Sequence, residues 1–87
     1  MATMGYARKR LQKWAGRVVE KGDRARLLMA QRGNQIIEVQ SNGWADEVGE
    51  ITYREANERD DFSLDYCAGT FCDTVQAAIA MAERMTA

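Results

Sequence analysis

Three groups of side chains in this 87-residue chain have types and spacings that chemistry could use. The first is a pair of thiols, Cys67 and Cys72, five residues apart across Gly69. Cys72 stands just before a helical pattern, and a helix N-terminus stabilises a thiolate. The chain has no His, however, so no imidazole is at hand to take the proton. The adjacent Asp73 carboxylate would raise a thiol pKa rather than lower it. Two buried free thiols therefore outrank a disulfide, which the separation permits without requiring, and both outrank cysteine catalysis. Two thiols are too few for a four-cysteine zinc site, and the mixed cysteine–histidine sites fall with the missing His.

The second group is the carboxylates Glu55, Glu58, Asp60, Asp61, Asp65 and Asp73. Asp61-Phe62-Ser63-Leu64-Asp65 matches the opening of a calcium loop, but Tyr66 stands where the turn glycine belongs and Cys72 where the bidentate Glu should be. Strand alternation puts Asp61, Ser63 and Asp65 on one face, which a solvated sheet surface explains equally well. Neither phosphate-cradling glycine motif is present, and without His the hydroxyls have no triad to join. The expectation is no catalytic residue, no metal and no cofactor: not an enzyme.

The third group is basic: Lys9, Arg10, Lys13 and Arg17, which on one helix could contact phosphates in a salt-sensitive, sequence-blind way. It belongs to a strong charge split. Residues 1–37 carry nine basic residues against two acids, a net +7, and residues 38–87 carry three against eleven, a net -8. Such asymmetry implies a basic face for an anionic partner, an acidic face for a cationic one, or halves that attract each other within a monomer or across a homodimer. A double-stranded RNA-binding domain has a similar αβββα order, but its basic cluster lies on the final helix, which here carries only Arg84 beside Glu83. The stacking aromatics of RNA-recognition sheets are also missing. A nucleic-acid contact is thus confined to the first helix.

The elements that must position these groups fit one domain over residues 1–87, which at this length buries about 60–65% of its unfolded surface. A basic N-terminal helix is expected over about 3–21, with Thr3 as N-cap and Gly22 as the glycine beyond its end. Met4, Ala7, Leu11, Trp14 and Val18 make its apolar stripe. Gly16 inside that helix would cost about 1 kcal/mol relative to Ala. Arg8, Lys9 and Arg10 near the positive end of the dipole would cost roughly 0.3–1 kcal/mol each. Such a segment either frays or is held by something else.

An antiparallel sheet is expected over about 25–68. Residues 24–31 read as a strand or a short helix; the hairpin through Arg32-Gly33-Asn34 into the β-branched run Ile36, Ile37, Val39 is preferred. Ser41-Asn42-Gly43 is a turn. A third strand runs along EITYREA, with Ile51 and Tyr53 on one face and Thr52 and Arg54 on the other, and a fourth runs from Phe62 to Ala68. A C-terminal helix follows over about 74–86. Asp73 is its expected N-cap, with Gln76 completing a capping box and a stripe of Val75, Ala78, Ile79, Ala82 and Met85. The class is α+β, in the order α-β-β-β-β-α, with the sheet packed against one or two helices.

No apolar run approaches the ~18–20 residues of a membrane helix, and no apolar stretch follows the basic N-terminus. A cytoplasmic protein with no membrane partner is the default. The favoured function is macromolecular interaction: an inhibitor or adaptor docking on a protein or nucleoprotein through an acidic surface of Trp44, Asp46, Glu47, Glu58, Asp60 and Asp61. Trp44 either anchors a partner or folds back over the core. The general character is that of small inhibitors such as the anti-CRISPR proteins of phages, an analogy of protein type with no motif behind it.

Overall fold

The N-terminal helical pattern stops sooner than its sequence period suggests. In the computed structural model, which describes residues 2–22, 25–55 and 69–85, helix α1 spans Met4–Ala15. Thr3 caps it, its hydroxyl accepting the Tyr6 N–H at 3.1 Å. Gly16 is not interior. It is the C-cap, at φ 81°, and its N–H donates to the Gln12 carbonyl at 2.7 Å. That left-handed backbone suits glycine, so the residue expected to weaken a long helix instead ends a short one.

Five strands follow: β1 Val18–Gly22, β2 Arg26–Arg32, β3 Gln35–Ser41, β4 Val48–Glu55 and β5 Thr70–Cys72, and then helix α2, Val75–Met85. They form one antiparallel sheet in the order β1-β2-β3-β4-β5, each strand beside its sequence neighbour. The chain is therefore an α+β protein with the element order α-β-β-β-β-β-α.

Several expectations need correction. The helix expected over 3–21 ends at Ala15, and Val18, placed on its stripe, instead opens β1 opposite Ala30. Gly22 is a strand residue, not a helix cap. A Cβ there would lie 3.3 Å from the Trp44 ring, so the missing side chain lets that ring rest on the end of β1. Thr70–Cys72, between the expected fourth strand and the expected last helix, is itself a strand and pairs with β4 from Ile51 to Tyr53. The strand expected over Phe62–Ala68 lies outside the described residues.

The ambiguous stretch is a hairpin. β2 and β3 pair from Leu27↔Gln40 to Arg32↔Gln35 around Gly33-Asn34, with Gly33 at φ 60°. Both helices pack on one face of the sheet. Met4, Ala7, Leu11 and Trp14 of α1 and Val75, Ala78 and Ala82 of α2 close over Leu28, Ala30, Ile37, Val39, Ile51 and Tyr53. Ile51 and Tyr53 share that face as alternation requires. Of the expected α2 stripe, Ile79 is only partly buried and Met85 is exposed. The cap of α2 is Thr74, not Asp73: its hydroxyl accepts the Ala77 N–H at 3.0 Å and its carbonyl the Ala78 N–H at 3.1 Å. Gln35, buried on β3, donates to Tyr53 Oη at 3.0 Å and to the Ala82 carbonyl at 2.8 Å, tying α2 to the sheet near the β2–β3 turn.

Candidate functional site

Two surfaces with functional character lie at opposite ends of the strands, ~20 Å apart along the six steps of β2. At the Gly22–Arg26 end, the loop between β3 and β4 presents Trp44. The loop is short because Gly43 turns it at φ 63°, and Ser41 Oγ accepts the Arg26 N–H at 2.8 Å while donating to the Gly43 carbonyl. Across its base, Asn42 N–H donates to the Glu47 carbonyl at 2.9 Å. The N-terminal residues hold it from the side, Met4 N–H donating to the Asp46 carbonyl at 3.2 Å and Val48 N–H to the Ala2 carbonyl at 3.1 Å. On that fixed loop Trp44 is 63% exposed. Part of its ring lies over Gly22, and at that exposure it stands outside the core cluster of described residues.

Of the acids expected around it, Asp46 is paired. Asp46 Oδ1 accepts from Arg26 Nη1 at 3.2 Å, and Arg26 Nη2 also reaches Glu20 Oε1 at 3.1 Å. Arg8 donates to the same Glu20 oxygen at 2.6 Å, which answers what holds a cation near the start of α1. The hydrogen bond to Glu20 pushes the Arg26 pKa further above its ordinary value. Glu47 is half-buried and pairs through its backbone with Thr3. Glu58, Asp60 and Asp61 lie outside the described residues. The Arg26–Asp46 pair joins the basic half of the chain to the acidic half.

At the other end, a groove of about 430 Å³ opens between α1 and α2. The four basic residues expected on one helical face part company here. Arg10 and Lys13 line the groove together with Trp14; Lys9 is exposed and does not line it, and Arg17 lies beyond the helix end. Arg10 is half-buried with its guanidinium 5.5 Å from the Tyr6 ring centroid. From the sheet, Arg32 joins them. From α2 come Gln76, Ile79, Ala80 and Glu83, a stripe at spacings of three, one and three. Arg32, Gln76, Ile79, Ala80 and Glu83 are not singled out as site residues by the sequence, where Ile79 falls on the core stripe and Gln76 in a capping box. The stripe's period was the available signal; nothing local marks Arg32. Two donors of groove-lining side chains, Arg10 Nε and Trp14 Nε1, are buried without an acceptor. A donor left so is worth about 1–3 kcal/mol of lost solvation.

The remaining chemical candidate is Cys72. Its thiol is free and partly buried; burial pushes its pKa up and the Asp73 charge adds to the shift, opposite to what a nucleophile requires. Cys67 lies outside the described residues. Among the described residues no three His, Cys, Asp or Glu side chains converge as metal ligands, and no helix is long and apolar enough to cross a membrane. Comparisons with protein-family models, with curated proteins and with solved structures find no match.

Proposed function

We propose that the chain is a non-enzymatic interaction protein, an inhibitor or adaptor that docks on a protein or nucleoprotein partner with Trp44 as its anchor. The observation that supports this is a large aromatic, 63% exposed, on a loop held in place by the hydrogen bonds across its base and to the N-terminus. An aromatic presented this way buries much area on binding at little cost in conformational freedom, and Trp is the residue most enriched where interfaces concentrate their energy. The charged rim of Asp46, Glu47, Glu20 and Arg26 would set rate and selectivity rather than affinity. A phage anti-defence inhibitor is the most concrete version, by likeness of protein type alone.

The test is affinity capture from native lysate with wild type, Trp44→Ala and Asp46→Lys/Glu47→Lys as baits, with and without nuclease. Trp44→Ala is expected to melt like wild type and to bind the captured partner at least about thirtyfold more weakly. The double charge reversal is expected to slow association and invert its salt dependence. A partner retained by Trp44→Ala, but released by nuclease and by Ala at Lys9, Arg10, Lys13 and Arg17, would replace this reading with nucleic-acid binding through the basic residues.

A further inference from the structure

The interhelix groove has a composition that an interaction surface centred on Trp44 does not use. Arg10 and Lys13 from α1 and Arg32 from the end of β2 bring three cations to one opening, against a single acid, Glu83. No ion pair neutralises Lys13 or Arg32 among the described residues. Trp14, Ile79 and Ala80 add apolar wall to the same space, and Gln76 adds an amide. We propose that this groove binds a nucleotide-sized phosphate anion, of the class of a nucleoside di- or triphosphate.

Charge and shape carry the assignment. Guanidinium groups match phosphate oxygens in a planar fork, and Lys supplies a point charge beside them. Three cations suit the charge of a short phosphate chain. At about 430 Å³ the space falls in the ~300–1,000 Å³ range of small-molecule sites. The apolar wall gives a base a surface to lie on, with Gln76 and Glu83 on the α2 side as hydrogen-bonding groups. A long single strand would instead need a cationic track leading away from the groove. Lys9 is exposed and does not line the groove, and the α2 side supplies Glu83. The site is anchored from three elements, with Gln35 fixing α2 over the sheet beside Arg32.

The experiment is calorimetric titration of the full chain with ADP, ATP, adenosine, pyrophosphate and a thymidine oligonucleotide, with amide NMR shifts recorded for ADP. Saturable ADP or ATP binding is expected, with shifts concentrated at residues 10–14, 32 and 76–83. Adenosine and pyrophosphate are each expected to bind about tenfold or more weakly, since each keeps one half of the contacts. Arg32→Glu and, separately, Lys13→Glu are expected to weaken ADP about tenfold or more. Lys21→Glu, which changes net charge equally from an exposed position on β1 that does not line the groove, is expected to stay within about twofold. Two variants on different elements protect the test against one that fails to fold. The proposal is overturned by absence of saturable binding, by an equal loss in Lys21→Glu, or by shifts away from the groove. It is also overturned if affinity rises with oligonucleotide length past that for ADP, which would mark a nucleic-acid track.

Discussion

Glu38 and Arg54 form the most consequential side-chain pair that the sequence left unmarked. They sit opposite one another's neighbourhood on β3 and β4, on the sheet face away from the helices, with Arg54 Nε donating to Glu38 Oε1 at 2.7 Å. Their side chains are only 4% and 5% exposed. Sequence alternation placed Arg54 on the second face correctly, but a polar residue at such a position reads as solvated; only the fold says it is buried. A buried pair is weak evidence of stability, whereas breaking one strands a charge. Arg54→Ala is therefore expected to lower unfolding free energy by about 3–5 kcal/mol in urea titration, while Glu38→Leu/Arg54→Met recovers most of the loss. A single-variant effect below about 1 kcal/mol would mean that water reaches Glu38. The two tryptophans make the same point in the other direction. Trp14 sits on a helical stripe at i+3 from Leu11 and is buried, as its spacing predicted. Trp44, in a turn with no period to place it, could be assigned to solvent or to core only by the fold.

At the scale of elements, the boundary of α1 is where sequence reasoning and structure part. The 3–4 spacing of Met4, Ala7, Leu11, Trp14 and Val18 continues across Gly16, and the period alone cannot see that the chain turns there. Val18 is apolar because β1 needs it opposite Ala30, not because a helix does. The two readings predict opposite signs for one substitution. In a helix running to residue 21, Gly16→Ala would stabilise by about 1 kcal/mol. At a C-cap with φ 81° it is expected to destabilise by about 1–2 kcal/mol, measured by denaturant titration. The other elements were more legible. The β2–β3 hairpin followed from a glycine turn between a mixed run and a β-branched one, and the C-terminal helix from its small-residue stripe. Its cap was misplaced by one residue because Asp73 and Thr74 are both good caps and only backbone geometry chooses between them. Three-residue β5 was missed because its pairing is supplied entirely by β4.

For the molecule as a whole, the sheet is a meander whose centre is β3. From Gln35 to Val39 every residue of that strand is buried, whichever face it points to, whereas β1 and β5 are the outermost of the described strands and have exposed positions. Amide hydrogen exchange should rank accordingly, slowest at Ile37 and Val39 and much faster in β1 and β5. Equal protection across the sheet would mean that β1 and β5 are covered in solution. The charge split reads differently at this scale than along the sequence. Arg26–Asp46 crosses between the halves at the Trp44 end. The cations are divided by the fold: Arg8 and Arg26 go to carboxylates at the Trp44 end, and Arg10, Lys13 and Arg32 go to the groove at the other. By itself the sequence determined the α+β class, the β2–β3 hairpin, the buried stripe of α1 and the alternation along β4, because each depends on periods of two or 3.6 residues and on turn chemistry that act locally. The tertiary structure alone decided that Trp44 faces solvent, that Arg54 is buried and that Arg32 meets Arg10 and Lys13. Those outcomes depend on which elements pack against one another, and no spacing within a single element carries that information.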